Sequence, residues 1–173
     1  QLASDETQSW YRGYVMSRRL TRYEYSCAIR DLTGYHVRDE MLPPSDGAGG
    51  LGFDTVGDAL FTSEIHLEAY LRVAFASVES MIARNPSLAP SNMTRDEAQI
   101  PIIRFAKHAW RRPIETSEVD RLMSLYDRTQ SVNQVYQAIL VSPHFLFVLE
   151  PEPDEPGVQR LTPHQFATRM ALL

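Results

Sequence analysis

The sequence predicts an all-α protein, and two observations carry this expectation: repeated helix-start signals and helical spacing of apolar residues. A Ser or Thr followed three residues later by Glu or Gln can cap a helix reciprocally, and this pattern begins at Thr21, Thr94, Ser131 and Thr162. No segment shows a convincing alternation of apolar and polar residues that would indicate a strand. We therefore expect two packed helical units with a long, ordered loop rich in glycine and aspartate, followed by the start of a third unit.

The first unit contains two predicted helices. After Thr21, apolar residues recur at steps of four and three, and Gly34 follows where a left-handed residue would end a helix over 22–33. Residues 63–84 form the longest periodic stretch and predict a central helix. We expect its apolar residues to form one inward stripe, made of Leu67, Tyr70, Leu71, Ala74, Val78, Met81 and Ile82.

Three helices are predicted in the second unit, over residues 95–111, 117–128 and 132–141. The first of these contains Pro101, which predicts a kink or a delayed start because proline removes a backbone donor. Its inward residues are expected to be Ile100, Ile103, Ala106 and Trp110.

Two proline-rich joints divide the chain. One is "NPSLAPSNM", and the other is "EPEPDEPG" at 150–157, which we expect to be extended and sensitive to proteases. The resulting division is an N-terminal extension at 1–16, a first helical module at 17–84, a linker at 85–93, a second helical module at 94–150, a linker at 151–157 and the start of a truncated third module at 158–173.

Composition narrows the class of function. The chain has 173 residues, 43% of them hydrophobic, and a formal net charge of −5, so an ordered core is expected and nucleic acid is not an expected partner. The basic stretch "KHAWRRP" at 107–113 could stack on a base, but an inward Trp110 with arginines at a helix C-terminus is the favoured interpretation. No apolar run is long enough for a membrane span, and the chain is expected to be a piece of a longer protein.

The segment "GAGGLG" at 47–52 has the letters of a dinucleotide-binding fingerprint. That fingerprint requires a strand before it and a helix after it, whereas here "MLPPSD" precedes and "FDTVGD" follows. We expect an ordered structural loop in which Leu51 and Phe53 are buried, and no cofactor in this fragment.

Few side chains are candidates for metal binding or catalysis. Asp46, Asp54 and Asp58 could supply oxygen ligands to a metal such as calcium, although their spacing matches no EF-hand. The five histidines form no metal-binding pair, and the single cysteine, Cys27, is expected to be a buried apolar residue. No catalytic residue is predicted.

Several longer stretches of the sequence resemble known domain families. "RLTRYEYSCAIRDLTG", "LPPSDGAGGLGFDTVGDAL" and "HLEAYLRVA" resemble the opening of a domain of unknown function from planctomycetes and related bacteria. "IIRFAKHAWRRPIETSEVDRLMSLYD" with "AILVSPHFLFVLEPE" resembles the second member of the same modular set, and "QRLTPHQFATRMALL" resembles the start of a third. This sequence departs from the family pattern at Thr55, where Asn is expected, and at His144, where Arg is expected.

The resemblance implies a setting, because such modules occur in large exported proteins that also carry c-type cytochrome domains. It implies a periplasmic, extracellular or cell-envelope location, with haem c elsewhere in the parent protein. The expected partners are other domains of the same parent chain, and a redox partner or a polysaccharide. The leading hypothesis is a non-catalytic scaffold or interaction module; the alternative is part of an enzyme or electron-transfer domain that missing downstream modules complete.

Overall fold

The computed structural model describes residues 18–44, 64–90, 93–148 and 162–171. The glycine/aspartate-rich loop, with Leu51, Phe53 and the three candidate aspartates, and the linker at 151–157 lie outside these residues. The expectations for them stay predictions.

The described residues are mostly helical, which confirms the all-α class. The helices are α1 (Arg22–Thr33), α2 (Glu64–Arg84), α3 (Arg95–Trp110), α4 (Thr116–Thr129), α5 (Val132–Leu140), α6 (Pro143–Leu146) and α7 (Pro163–Ala171). Short 3-10 turns lie at Asp39–Met41 and Pro86–Leu88, and two two-residue strands, β1 (Arg18–Arg19) and β2 (Phe147–Val148), complete the elements.

Capping explains where the principal helices begin. Thr21 and Thr94 each accept a hydrogen bond from the backbone N–H three residues later, and Glu24 and Glu97 accept in return from the backbone N–H of the capping threonine. Two of the four predicted capping boxes are therefore confirmed, and each satisfies two backbone donors that the helix itself cannot pair. At Ser131 only one half of the box is shown, because its side chain accepts from the Gln134 N–H.

Three of the helices end at a residue in the left-handed conformation. Gly34 ends α1 with a φ of 67°, a left-handed conformation that glycine adopts without strain. The carbonyl of Thr33 accepts a 2.5 Å hydrogen bond from Arg84 Nη2, so the last residue of α2 holds the C-terminus of α1. Arg111 and Gln130 take the same left-handed conformation after α3 and α4.

One apolar core joins the two predicted units. Helix α2 of the first unit packs against α5 of the second, and α5 also contacts α3 and α4. The fully buried residues at this junction include Val73 and Val78 of α2, Ile102 of α3, and Val135 and Ile139 of α5. Because these side chains lie in a single cluster, the two units bury their apolar surface together.

The two short strands join the beginning of the first unit to the end of the second. β1 precedes α1 and pairs antiparallel with β2, which follows α6, so that Arg18 lies opposite Val148. The backbone N–H of Leu20 extends the connection with a 2.8 Å hydrogen bond to the carbonyl of Leu146. The start of the first unit is thereby bonded to the end of the second, a connection that the sequence did not predict.

Three expectations about inward residues were wrong. Leu67 and Leu71 are 48% and 52% exposed, because the face of α2 that contacts other described elements is centred on Val73, Ser77 and Val78. Ile100 is 65% exposed, and the buried isoleucine of α3 is Ile102.

Pro101 lies inside α3, which begins at Arg95 without the delay that proline suggested.

A buried aromatic pair lies beneath β1. The rings of Tyr25 and Tyr70 make an edge contact with centroids 4.8 Å apart, and both side chains are almost fully buried. The Tyr70 hydroxyl accepts a 2.5 Å hydrogen bond from Arg19 Nη1, whereas the Tyr25 hydroxyl has no partner among the described residues. Burial raises the pKa of Tyr25 far above its ordinary value of 10.0, so this hydroxyl stays neutral.

The two tyrosines should respond oppositely to loss of the hydroxyl. Tyr25→Phe removes an unpaired buried polar group and should leave the free energy of unfolding unchanged or raise it by up to about 1 kcal/mol. Tyr70→Phe takes an acceptor from a buried guanidinium and should lower it by about 1–3 kcal/mol. Urea denaturation of both variants checks this, and an equal loss in the two would contradict the assignment.

Candidate functional site

Two bidentate arginine–glutamate pairs hold the starts of α1 and α4. Arg18 donates from Nη1 and Nη2 to the two carboxylate oxygens of Glu24, each at 2.7 Å. Arg112 makes the same contact with Glu118, at 2.9 Å and 2.5 Å. In both pairs the arginine precedes the glutamate by six residues, so two separate parts of the chain build the same local structure.

Each glutamate also holds the backbone at the start of its own helix. Glu24 Oε2 accepts from the Thr21 N–H at 2.8 Å, and Glu118 Oε2 accepts from the Glu115 N–H at 3.0 Å. A carboxylate in the first turn is further stabilised by the positive end of the helix dipole. The arginine therefore binds a carboxylate that the helix has already placed, and this fixes the direction of the preceding chain.

These contacts keep both carboxylates ionised. Burial raises the pKa of Glu24, but hydrogen bonds from Arg18 and the Thr21 backbone outweigh burial and hold it below its ordinary value of 4.5. The hydrogen bond from Arg112 lowers the pKa of Glu118, with burial opposing it and the Glu115 N–H adding to it.

His144 extends the second pair into a cluster, which we call the Glu118 cluster: Trp110, Arg112, Glu118, Ser142 and His144. Its Nε2 lies 3.2 Å from Glu118 Oε1, and its Nδ1 lies 3.1 Å from Arg112 Nη2. Because a guanidinium can only donate, Nδ1 must accept and Nε2 must carry the proton of a neutral imidazole. Burial and the Arg112 charge lower the pKa of His144 below 6.5, although Glu118 opposes them, which agrees with this neutral form.

Trp110 forms the inner wall of the Glu118 cluster. Its ring centroid lies 4.9 Å from that of His144, and the Arg112 guanidinium lies 5.5 Å from the indole centroid. The indole N–H donates to Ser142 Oγ at 2.8 Å, and the residue is only 7% exposed. The favoured interpretation of "KHAWRRP", with an inward Trp110, is thus what the structure shows.

Arg111 contacts α6 and lies within electrostatic range of a carboxylate of the first unit. Its Nη2 donates to the Phe145 carbonyl at 3.0 Å, and its guanidinium lies 5.7 Å from the Phe145 ring centroid. Burial lowers the pKa of Arg111, and the Glu24 carboxylate opposes this effect, so a charge of the second unit is influenced by a carboxylate of the first. Its Nε has no hydrogen-bond partner within the described part of the chain.

The sequence-predicted candidates do not come together here. Asp46, Asp54 and Asp58 lie outside the described residues, so the metal hypothesis stays a prediction. Among residues 18–44, 64–90, 93–148 and 162–171, no three His, Cys, Asp or Glu side chains lie close enough to hold a metal ion. Cys27 is only partly buried, which differs from the expected full burial.

Neither the two arginine–glutamate pairs nor the role of His144 was predicted from the sequence. One signal was available in the sequence: an arginine six residues before a glutamate that lies in the first turn of a predicted helix. His144 offered no comparable signal, because it reaches Glu118 from α6, and that contact depends on tertiary packing.

The polar atoms of Glu118 and His144 form hydrogen bonds and ion pairs within the protein. The two oxygens of Glu118 accept from Arg112, His144 and the Glu115 backbone, and both ring nitrogens of His144 are engaged. A carboxylate with about four lone-pair sites filled has no acceptor left for a substrate proton. The fold and this cluster together define a helical module of two joined units.

Comparison with protein families identifies the two units. Residues 18–83 match the family model described as "PSD3: Protein of unknown function (DUF1587)", and residues 98–150 match "PSD5: Protein of unknown function (DUF1595)". Each of the two units therefore matches a family of domains of unknown function, which confirms the resemblance of these two units to such domains. No curated protein and no solved structure matches it, and no described helix is both long and apolar enough to cross a membrane.

Acid should weaken the fold through Glu24 and Glu118. Their pKa values are lower in the folded state than the ordinary 4.5, so the unfolded chain binds more protons as the pH falls through that value. The stabilisation is complete above about pH 5 and is lost progressively below it. Urea midpoints measured from pH 7 to pH 3 should therefore fall in the acid range, and Glu118→Gln should flatten this fall.

Glu79→Gln is the matched control, because Glu79 is exposed and forms no ion pair with any described residue. It should keep the wild-type pH profile. At pH 7, Glu118→Gln should lower the free energy of unfolding by about 1–3 kcal/mol through the weakened contacts to Arg112. Identical acid profiles for the two variants would contradict the assigned role of Glu118.

Proposed function

We propose that residues 18–148 act as a non-catalytic scaffold or interaction module that holds other domains of a larger, exported, cytochrome-linked redox protein in position. The observation that carries this proposal is how the charged groups are used. Both oxygens of Glu24 and of Glu118 accept from an arginine, Oε2 of each also accepts from a backbone N–H at the helix start, and His144 is held between Arg112 and Glu118. Charged groups bonded internally in this way fix geometry instead of awaiting a substrate.

The shared core supports the same function. Because α2 and α5 bury one apolar cluster and β1 pairs with β2, the two domains cannot separate without exposing that core. A module joined in this way keeps its surfaces at fixed distances. That property suits a part that positions neighbouring domains of its parent chain.

The cellular setting of the proposal rests on the family resemblance. Modules of this set are planctomycete-type and occur beside c-type cytochrome domains in large exported proteins, so we place haem c elsewhere in the parent protein. A periplasmic, extracellular or cell-envelope location follows from the same resemblance. Other domains of the parent chain are the first expected partners, followed by a redox partner or a polysaccharide.

The alternative is part of an enzyme or electron-transfer domain that downstream modules complete. One observation favours it: a histidine beside a carboxylate, here His144 Nε2 at 3.2 Å from Glu118 Oε1, is also an arrangement used in acid–base catalysis. His144 is partly exposed, with about a third of its side chain accessible (34%).

Replacing His144 by Asn separates the two functions. Asn can still accept from Arg112 and donate to Glu118, so the scaffold proposal expects the intact parent protein to keep its turnover. An acid–base role would instead lower turnover by about 100-fold or more at an unchanged melting temperature. Turnover and thermal unfolding, measured on the same preparations of the parent protein, decide between these results.

The candidate metal residues provide a second arm of this experiment. Replacing Asp46, Asp54 and Asp58 together by Ala should also leave turnover of the parent protein intact if the module is a scaffold. A loss of turnover in this variant, with the helical circular dichroism signal preserved, would support the enzyme alternative.

A further inference from the structure

Helix α2 carries an exposed apolar stripe that begins beside its buried face and turns away from it. Leu67, Leu71 and Phe75 are 48%, 52% and 54% exposed, whereas Leu20, Leu122, Leu140 and Leu146 are buried. Their spacing of four residues places them along one side of the helix over two turns. A contiguous exposed apolar surface of this kind is a common mark of a protein–protein contact.

Two opposite charges border the Leu67–Leu71–Phe75 stripe. Glu68 and Arg72 are exposed, one helical turn apart, on the same edge of the stripe. Neither forms a salt bridge or hydrogen bond with any residue in the described part of the chain. Both groups are therefore available to a charge that approaches along that edge.

We propose that the Leu67–Leu71–Phe75 stripe is a dimer interface, and that its occupant is the same stripe of a second copy of this chain, packed antiparallel. An antiparallel two-fold arrangement brings Leu71 against its own equivalent and Leu67 against Phe75. It also brings the same edges of the two helices together, so that Glu68 of each copy faces Arg72 of the other. A parallel two-fold arrangement would instead put the Glu68–Arg72 edges of the two helices on opposite sides of the contact, where these charges could not pair.

Charge complementarity selects the second copy over an unrelated partner. The stripe is self-complementary only in the antiparallel direction, and in that direction the two cross-helix ion pairs form together by symmetry. The six apolar side chains supply the buried area, and the ion pairs fix direction and register.

Sedimentation velocity of the 173-residue chain, from about 1 to 100 μM, tests the interface. The wild-type chain should show a concentration-dependent dimer, and Leu71→Glu should be monomeric throughout that range while keeping its helical circular dichroism. Ile100→Glu is the matched control, because Ile100 is also exposed and apolar but lies on α3, so it should dimerise like the wild type.

Charge exchange tests the antiparallel direction. Glu68→Arg and Arg72→Glu should each raise the dissociation constant by roughly tenfold, because each places two like-charged pairs across the interface. The double variant should restore the wild-type constant to within about threefold.

A monomeric wild-type chain at 100 μM would overturn the proposal. If such a monomer were destabilised by Leu71→Glu, the stripe would be covered by the chain's own residues, which also overturns it. If the Leu71→Glu variant still dimerised, or if the double charge exchange failed to restore the dissociation constant of the dimer, the interface would lie elsewhere.

Discussion

The packing of α2 against α5 is the interaction on which the rest of the structure depends. The buried valine and isoleucine side chains of both helices lie in one cluster that contains residues of both units, so the two units share a single core. Burying them is favourable by about 25 cal/mol per Å² of apolar surface removed from water. This shared burial brings the start of α1 close to the end of α6, where β1 and β2 then pair.

The same packing makes charge pairing necessary. The chain enters α1 and α4 at the edge of the shared core, and there Arg18, Arg112 and their neighbours lose much of their water. An arginine in such a position is tolerated when a carboxylate with matching geometry accepts from both of its terminal nitrogens. Glu24 and Glu118 meet this need because the first turn of each helix already holds them in place.

The sequence predicted most helices closely because their signals are local. Thr21 with Glu24 and Thr94 with Glu97 mark helix starts through bonds between residues three apart, and Gly34 marks an end by its own conformational freedom. The orientation of each helix depends on its partners, which is why Leu71 and Ile100 were wrongly placed inside. Two-residue strands have no periodicity to detect, and the His144 contact with Glu118 joins residues that only folding brings together.

The arginine–glutamate pairs contribute orientation more than stability. The loss of one of these pairs is expected to cost about 1–3 kcal/mol, less than the burial of several large apolar side chains together. A bidentate pair nevertheless allows few relative positions of its two partners, so it restricts the angle at which the chain meets the helix. The repetition of this pair at α1 and α4, six residues apart in each unit, indicates that both domains use one solution to one geometric problem. A module whose two domains are held at fixed angles by such pairs, and at a fixed distance by a common core, presents its outer helix faces in a constant relation to one another.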